Sequence, residues 1–243
     1  MEAQGDPFRR AGDLTKASQA HNGMPDSVGM MNIKTANQTI LEASERESKN
    51  MSSVKLNEEE KRLLHNAWHH FLTITHHKLV VMEGCFKVGL FKQGLLHDLS
   101  KYSWEEFKTG VKYYQGTRSP NAAEKEEKGY SSAWLHHKGR NKHHFEYWTD
   151  VSTAEDHWKI VGVKMPVNYL AEMVMDRIAA SKIYQGRNYT DAAPYTYFSR
   201  NKEYIVMHPE TKACLDKILL MLKEKGERKT FAYIRKLLKD GDY

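Results

Sequence analysis

Apolar residues recur at helical spacing through most of the chain after residue 56, and this pattern constrains the fold most strongly. In residues 56–86 the large apolar side chains lie three, four or seven positions apart: Leu56, Leu63, Leu64, Trp68, Phe71, Leu72 and Leu79. Asn57 is a typical N-cap residue, and three acidic residues follow it in the first turn. No segment alternates apolar and polar residues long enough to indicate a strand. The sequence therefore predicts an all-α domain.

Further helices are indicated toward the C-terminus. The predicted segments are residues 103–115, 133–137, 143–148, 165–184, 208–226 and 230–240. Ser103 and Glu106 have the spacing of a capping box. Pro166 and Pro209 stand in first turns, and Gly226 lies just past a helix end. The polar stretch 117–129 is predicted to be a loop.

The chain divides into a tail and one domain. Residues 1–53 are polar and lack an apolar period, so we expect a disordered tail. Residues 54–243 are expected to form one helical domain, since a chain of 243 residues with 40% hydrophobic residues supports one medium core. The stretch that begins at Met51 resembles the start of a folded protein, so we hypothesise that translation begins at Met51. N-terminal sequencing of the native protein would test this hypothesis.

Composition indicates the cellular compartment and the classes of partner. The formal charge of +6 is scattered along the chain, which fits an anionic ligand and gives little reason to expect nucleic acid. Cys85 and Cys214 are far apart and lack zinc-knuckle spacing, so a reducing cytoplasm is expected. No apolar run approaches the ~20 residues of a membrane span, so no membrane partner is expected either.

Ten of the thirteen histidines fall between residues 65 and 144, and this clustering needs a chemical explanation. Neutral imidazole and carboxylate are common ligands of zinc, manganese and iron. Neighbouring residues on a helix point about 100° apart, so we expect only one histidine of each HH pair to face a given metal. In "LLHDLSKY" an aspartate follows His97 directly, and a carboxylate at a helix end can reach a metal.

Several histidines and aspartates follow one another in a definite order: His77, the HDxxK pattern from His97 to Lys101, His137 with a further HH pair, and Asp176 in "EMVMDRIAAS". This order resembles that of the HD-domain superfamily of metal-dependent phosphohydrolases. Within that superfamily, "AWLHHKGRNKHHFEYW" and "HPETK" are most similar to an uncharacterised family of bacteria and phages, over roughly residues 60–225. The resemblance implies an HD-domain-like helical bundle.

The resemblance also implies a ligand set. One metal would be bound by four residues: His77, His97, Asp98 and Asp176. A second would be bound by His137 and by either His143 or His144. No acidic residue obviously corresponds to the glutamate that some binuclear members use, so the expected cofactor is one or two divalent ions of Mn, Zn, Ni or Fe.

The resemblance implies that a metal-activated water attacks a small phosphorylated substrate, for which a nucleotide is a candidate. Asp98 and Lys101 would be the catalytic residues, with Lys101 neutralising the phosphate beside the metal. Further candidates for binding phosphate are Arg140, Lys142 and Arg177. The alternatives are an HD-type di-iron oxygenase, which the same fold supports, and a non-catalytic metal-stabilised binding module.

Other residues of the histidine-rich region have simpler interpretations. Packing or surface roles are expected for five histidines: His65, His69, His70, His157 and His208. His76 and His136 are expected just outside the ligands. The aromatic residues near residue 147 are interpreted as core rather than as base-stacking platforms. Glu146 is a candidate to orient a ligand histidine or to act as a general base.

Overall fold

The computed structural model describes residues 56–154 and 158–243, with five separate helical positions between 38 and 46. The tail predicted at residues 1–53 and the Met51 hypothesis otherwise lie outside the described residues. The α-helices are α1 Glu58–Val88, α2 Phe91–Leu96, α3 Trp104–Lys112, α4 Pro120–Lys128, α5 Ser132–Lys138, α6 Val167–Gln185, α7 Ala193–Asn201 and α8 Pro209–Asp240. Single 3₁₀ turns lie at Leu99–Tyr102, Phe145–Trp148, Gly186–Asn188 and Lys202–Tyr204. The all-α prediction is confirmed.

The long helices begin and end where the sequence indicates. Asn57 caps α1 through a reciprocal capping box, because its side chain accepts from the Glu60 amide and Glu60 accepts from the Asn57 amide. Within α8, the backbone of Gly226 is not helical, because its φ is 74° and its ψ is 171°. Two helical segments therefore meet at a kink at Gly226, where the sequence predicts that one helix ends, and α8 includes both segments.

Three local predictions are wrong or incomplete. Residues 117–129 are not all loop, because α4 occupies Pro120–Lys128. Ser103 is the N-cap of α3, but its hydroxyl makes no capping bond, and the Glu106 carboxylate pairs with two histidines rather than with the Ser103 amide. Helix α7 and a short antiparallel hairpin, β1 Thr149–Ser152 with β2 Lys159–Gly162, were not predicted.

The core lies where α1, α6 and α8 meet, with α7 packed against α8. Its most buried members come from all three long helices: Val81, Cys85, Val174, Ala179, Leu215, Leu219, Leu222 and Ile234. Helix α3 packs on both α1 and α5, which brings the histidine-rich segments of α1 and α5 close to each other. Within the described ranges, no helix combines the length and apolar character needed to cross a bilayer.

Gly110 sets the close approach of α3 to α1. A methyl group at Gly110 would overlap the imidazole ring of His70, which is buried on α1. Alanine favours a helix by only about 1 kcal/mol over glycine, whereas overpacking a core contact costs about 1–3 kcal/mol. We therefore expect Gly110→Ala to lower the melting temperature in thermal unfolding. Gly139→Ala, at the exposed end of α5, should change it far less, and equal effects would show that α3 does not depend on this contact.

Candidate metal centre

A single buried stripe of α1 carries the first histidine of the centre. The stripe includes His70, Ile74, His77, Val81 and Cys85, which recur every three or four residues. His77 thus occupies a position that the helical period assigns to the core, and it is 7% exposed. Its Nε2 lies 2.9 Å from Asp176 Oδ1 on α6, the helix that packs most extensively on α1.

Asp98 lies at the chain reversal between α2 and the 3₁₀ turn Leu99–Tyr102. Its backbone is left-handed, with φ 53° and ψ 26°, and it is the one non-glycine residue with positive φ in the described part of the chain. Aspartate tolerates this conformation better than most residues. The reversal turns the Asp98 carboxylate inward, where the residue is only 2% exposed.

The first donor group contains the four residues that the HD resemblance implies for one metal. His77, His97, Asp98 and Asp176 each offer one ligand atom, and these atoms lie within 4.8 Å of one another. Asp98 Oδ2 lies 3.2 Å from His97 Nε2 and 3.7 Å from His77 Nε2. Three elements distant in sequence therefore converge on one point: α1, the end of α2 and α6.

The second donor group contains Asp98, His137, His143 and His144. Asp98 Oδ1 lies 3.3 Å from His137 Nε2 and 3.4 Å from His143 Nε2. The expectation that only one residue of an HH pair faces inward does not hold for His143 and His144. They precede a 3₁₀ turn, and His144 has extended backbone, so the 100° separation of helical neighbours does not apply.

Two buried glutamates orient the histidines from behind. Glu172 Oε1 lies 2.9 Å from His97 Nδ1 and 3.2 Å from His143 Nδ1. Glu106 Oε2 lies 2.8 Å from His137 Nδ1. Carboxylates that accept from one ring nitrogen of a histidine fix its tautomer and aim the other nitrogen at a metal. The Nε2 atoms of all three histidines accordingly face Asp98.

The charge states of the carboxylates and of His77 suit a cation. Burial would raise the pKa of Asp98, but His97, Lys101 and His137 outweigh it and hold that pKa well below its usual range. Asp176 is held ionised in the same way by His77 and His97, which lower its pKa despite burial. Burial, with a contribution from Lys101, lowers the pKa of His77 to about 4, so its imidazole is neutral at pH 7.

His97 shows what the carboxylates do without a cation. Burial alone would lower the pKa of His97, but Asp98, Asp176 and Glu172 raise it well above the usual range. The cluster therefore favours a positive charge at its centre. Metal binding releases protons from such ligands, because an imidazole must be deprotonated to coordinate.

Unpartnered atoms at the centre fit a metal ion. Among the described residues, His97 Nε2, His143 Nε2 and Asp98 Oδ1 are buried and make no hydrogen bond, although each has a neighbour 3.2–3.4 Å away. Buried polar atoms are rarely left without a partner unless a ligand or an ion completes them. Imidazole nitrogen and carboxylate oxygen are donors that zinc, manganese and iron accept. The buried groups could therefore hold a metal ion.

Of the four residues predicted to bind substrate, two lie beside the donor groups and two lie on the surface. Lys101 Nζ lies 2.6 Å from Asp98 Oδ2, and Arg177 is partly buried beside Asp176. Arg140 is exposed and only approaches the His136 carbonyl oxygen, at 3.4 Å. Lys142 is also exposed and lies over the rings of Tyr147 and Tyr169. Lys101 and Arg177 therefore adjoin the donor groups, whereas Arg140 and Lys142 belong to the surface.

The remaining histidines lie outside the donor groups. His136 Nδ1 contacts Glu106, which also holds His137, in agreement with a place just outside the ligands. The rings of His65 and His69 contact each other at a tilt of 44°, and His208 caps α8 by accepting from the Glu210 amide. His70 packs against Phe107. His76 is half-buried and belongs to none of the groups. His157 lies outside the described residues.

Sequence reasoning missed the two orienting glutamates. Glu172 stands four residues before Asp176 on α6, so the two carboxylates share a helix face, and this spacing was a usable signal. Together with His97 and His143, Glu172 itself forms a third group of possible donors. Glu106 offered a misleading signal, because its distance from Ser103 matches a capping box.

Glu172→Gln is expected to weaken metal binding about 10- to 100-fold, as is typical when the partner of a ligand histidine is removed. The neutral amide no longer draws the Nδ1 protons of both His97 and His143, so their Nε2 atoms become poorer donors. Competition with a chelating dye measures the affinity. Glu124→Gln is the control, because Glu124 is equally buried but contacts Ser131, Ser132 and Lys128 between α4 and α5. Unchanged affinity in Glu172→Gln would contradict the orienting role.

Comparisons with known proteins place the chain in a family without assigning it a function. No curated protein and no solved structure matches it significantly. A model described as "Family of unknown function (DUF5662)" matches residues 66–221, which include every donor of the centre. The chain therefore belongs to the DUF5662 family.

Proposed function

We propose that this protein is a metal-dependent phosphohydrolase of HD-domain type, acting on a small phosphorylated compound. The observation that carries the proposal is the position of Lys101. Its ammonium lies 2.6 Å from the carboxylate that both donor groups share, and its side chain is 26% exposed whereas that of Asp98 is 2% exposed. The Lys101 ammonium thus adjoins the centre and is more accessible than Asp98, so a substrate phosphate could approach it there.

The order of the ligands supports the HD assignment. His77, His97, Asp98 and Asp176 follow one another as the resemblance implies, and their donor atoms meet although the residues are up to 99 positions apart in sequence. A divalent ion bound there would lower the pKa of a coordinated water toward ~7 and polarise a phosphoryl oxygen. Asp98 and Asp176 stay ionised to hold the ion, and Lys101 binds the phosphate by a charge-assisted hydrogen bond.

The test is metal analysis followed by a substrate screen. We expect purified protein to contain one or two equivalents of Mn, Zn, Ni or Fe by plasma mass spectrometry. The metal-loaded protein should release phosphate from one or more members of a panel of phosphomonoesters and nucleotides, and chelation should stop the release.

Two results would replace the proposal. A di-iron oxygenase would be favoured if the protein binds iron with a visible charge-transfer band and consumes oxygen without releasing phosphate. A set of imidazole and carboxylate donors also suits such an enzyme. Protein without stoichiometric metal, and without a metal-dependent rise in melting temperature, would exclude both enzyme functions.

A further inference from the structure

Arg177 and Glu146 have buried polar atoms that no part of the metal centre uses. Arg177 Nε and Glu146 Oε2 are both buried, and within the described residues neither has a hydrogen-bond partner, so they do not bond to each other. A buried polar group that is left without a partner destabilises the folded state. A donor and an acceptor left open near the same centre therefore point to a ligand that completes both.

Arg177 is a donor held in place from several sides. It directly follows Asp176 on α6, and its guanidinium carbon lies 5.7 Å from the centre of the Phe198 ring. Burial lowers the pKa of Arg177, and the nearby Asp176, Tyr197 and Glu146 partly oppose this lowering. A guanidinium that packs against an aromatic ring keeps its N–H groups available at the edge.

Glu146 is the matching acceptor. It lies in the 3₁₀ turn Phe145–Trp148, two residues after His144 of the second donor group. The histidine-orienting role considered for it belongs instead to Glu106 and Glu172. Glu146 acts electrostatically on Arg177 and on the exposed Lys125, so its carboxylate lies near both cations.

We propose that Arg177 and Glu146 form a subsite for the organic part of the substrate, which presents a hydrogen-bond acceptor to the guanidinium and a donor to the carboxylate. This inference rests on the proposed phosphohydrolase function. Sugar hydroxyls supply both kinds of bond, as does the edge of a nucleobase. A second phosphate would face the negative charge of Glu146, so the subsite favours a monophosphate with an uncharged, hydroxylated group such as a sugar or nucleoside.

The test compares substrates that differ in the group beyond the phosphate. Metal-loaded wild type, Glu146→Gln and Arg177→Gln are assayed with ribose 5-phosphate, adenosine and guanosine monophosphates, and phenyl phosphate, which offers the subsite neither bond. We expect the ratio of kcat/KM for the hydroxylated substrate to that for phenyl phosphate to fall about 10- to 100-fold in each variant, the effect of losing a charge-assisted hydrogen bond. Glu203→Gln and Arg187→Gln, both on exposed side chains, are the matched controls.

The outcomes separate the subsite from the hydrolase. A fall for ribose 5-phosphate assigns the sugar to the subsite, and a fall confined to nucleotides assigns the base. An unchanged ratio in folded Glu146→Gln overturns the inference even if hydrolysis is confirmed. If wild type hydrolyses no ester, the hydrolase proposal fails, and equilibrium titration with ribose 5-phosphate decides the subsite alone. Binding that is tenfold weaker in Glu146→Gln supports the subsite, whereas equal or absent binding overturns it.

Discussion

Replacement of Asp98 by alanine is expected to abolish tight metal binding and to lower stability. Asp98 belongs to both principal donor groups, with one oxygen facing His97 and the other facing His137 and His143. Its loss should weaken metal affinity by more than the ~10- to 100-fold seen when only a partner of a ligand is removed. Metal content after gel filtration and the melting temperature with and without added metal measure both effects.

Stability falls for two separable reasons. A metal that binds only the folded chain contributes to its folding free energy, and this contribution disappears with the site. Asp98 is also the buried counterion of the partly exposed Lys101, so its removal leaves that ammonium without its partner and lowers stability further. Asp98→Asn keeps a side chain that tolerates left-handed backbone and removes only the charge. We expect the Asn variant to fold and still to lack metal.

The control for this prediction is His65→Ala. His65 is exposed and contacts His69, outside the donor groups. Metal content should therefore remain that of wild type. Full metal occupancy in Asp98→Ala would show that the shared carboxylate is not a ligand. Loss of metal in His65→Ala would place the first ligand on another face of α1.

Lys101→Met is expected to lower kcat/KM for phosphate ester hydrolysis while leaving metal content intact. Methionine keeps most of the apolar stem and removes the ammonium that adjoins Asp98. Loss of a charge-assisted hydrogen bond to the substrate phosphate, about 1.5–3 kcal/mol, corresponds to about a 10- to 100-fold decrease. Metal affinity should not fall, because removal of a neighbouring positive charge does not disfavour a cation.

Lys108→Met provides the comparison on the following helix. Lys108 is exposed, and its ammonium only approaches Glu105, at 3.4 Å, so its replacement should be nearly silent. A wild-type rate in Lys101→Met would make Lys101 a structural counterion of Asp98. The phosphate-binding role that the HD resemblance implies for Lys101 would then lose its support. The oxygenase and binding-module alternatives would be favoured instead.

The fold was predictable where local pattern and tertiary packing agree. The apolar stripes of α1, α6 and α8 identify these helices, and Asn57 and Gly226 mark their limits. Helix α4 has no such stripe, because "PNAAEKEEK" is almost wholly polar. It is tied to its neighbour by the buried Glu124, which accepts hydrogen bonds from Ser131 and Ser132, and such contacts across elements leave no periodic trace in the sequence.

The sequence identified candidate metal ligands but not the glutamates that orient them. Histidine and aspartate in a recurring order are visible in a sequence, and the structure brings all seven predicted donors together. Which carboxylate lies behind which imidazole depends on how α3 and α6 pack, so Glu106 and Glu172 were not identified. The exposure of Arg140 and Lys142 was equally hidden, because the turn that holds them could face inward or outward.

Glu172 has a consequence for how the two donor groups behave together. One of its oxygens lies within 3.2 Å of both His97 and His143, which belong to different groups. Any rotation of this carboxylate moves both imidazoles at once, so an ion that fixes one ring also restricts the other. Occupancy of the two groups is then thermodynamically linked, and the linkage is reciprocal: the factor by which one ion changes the affinity for the other is the same in both directions.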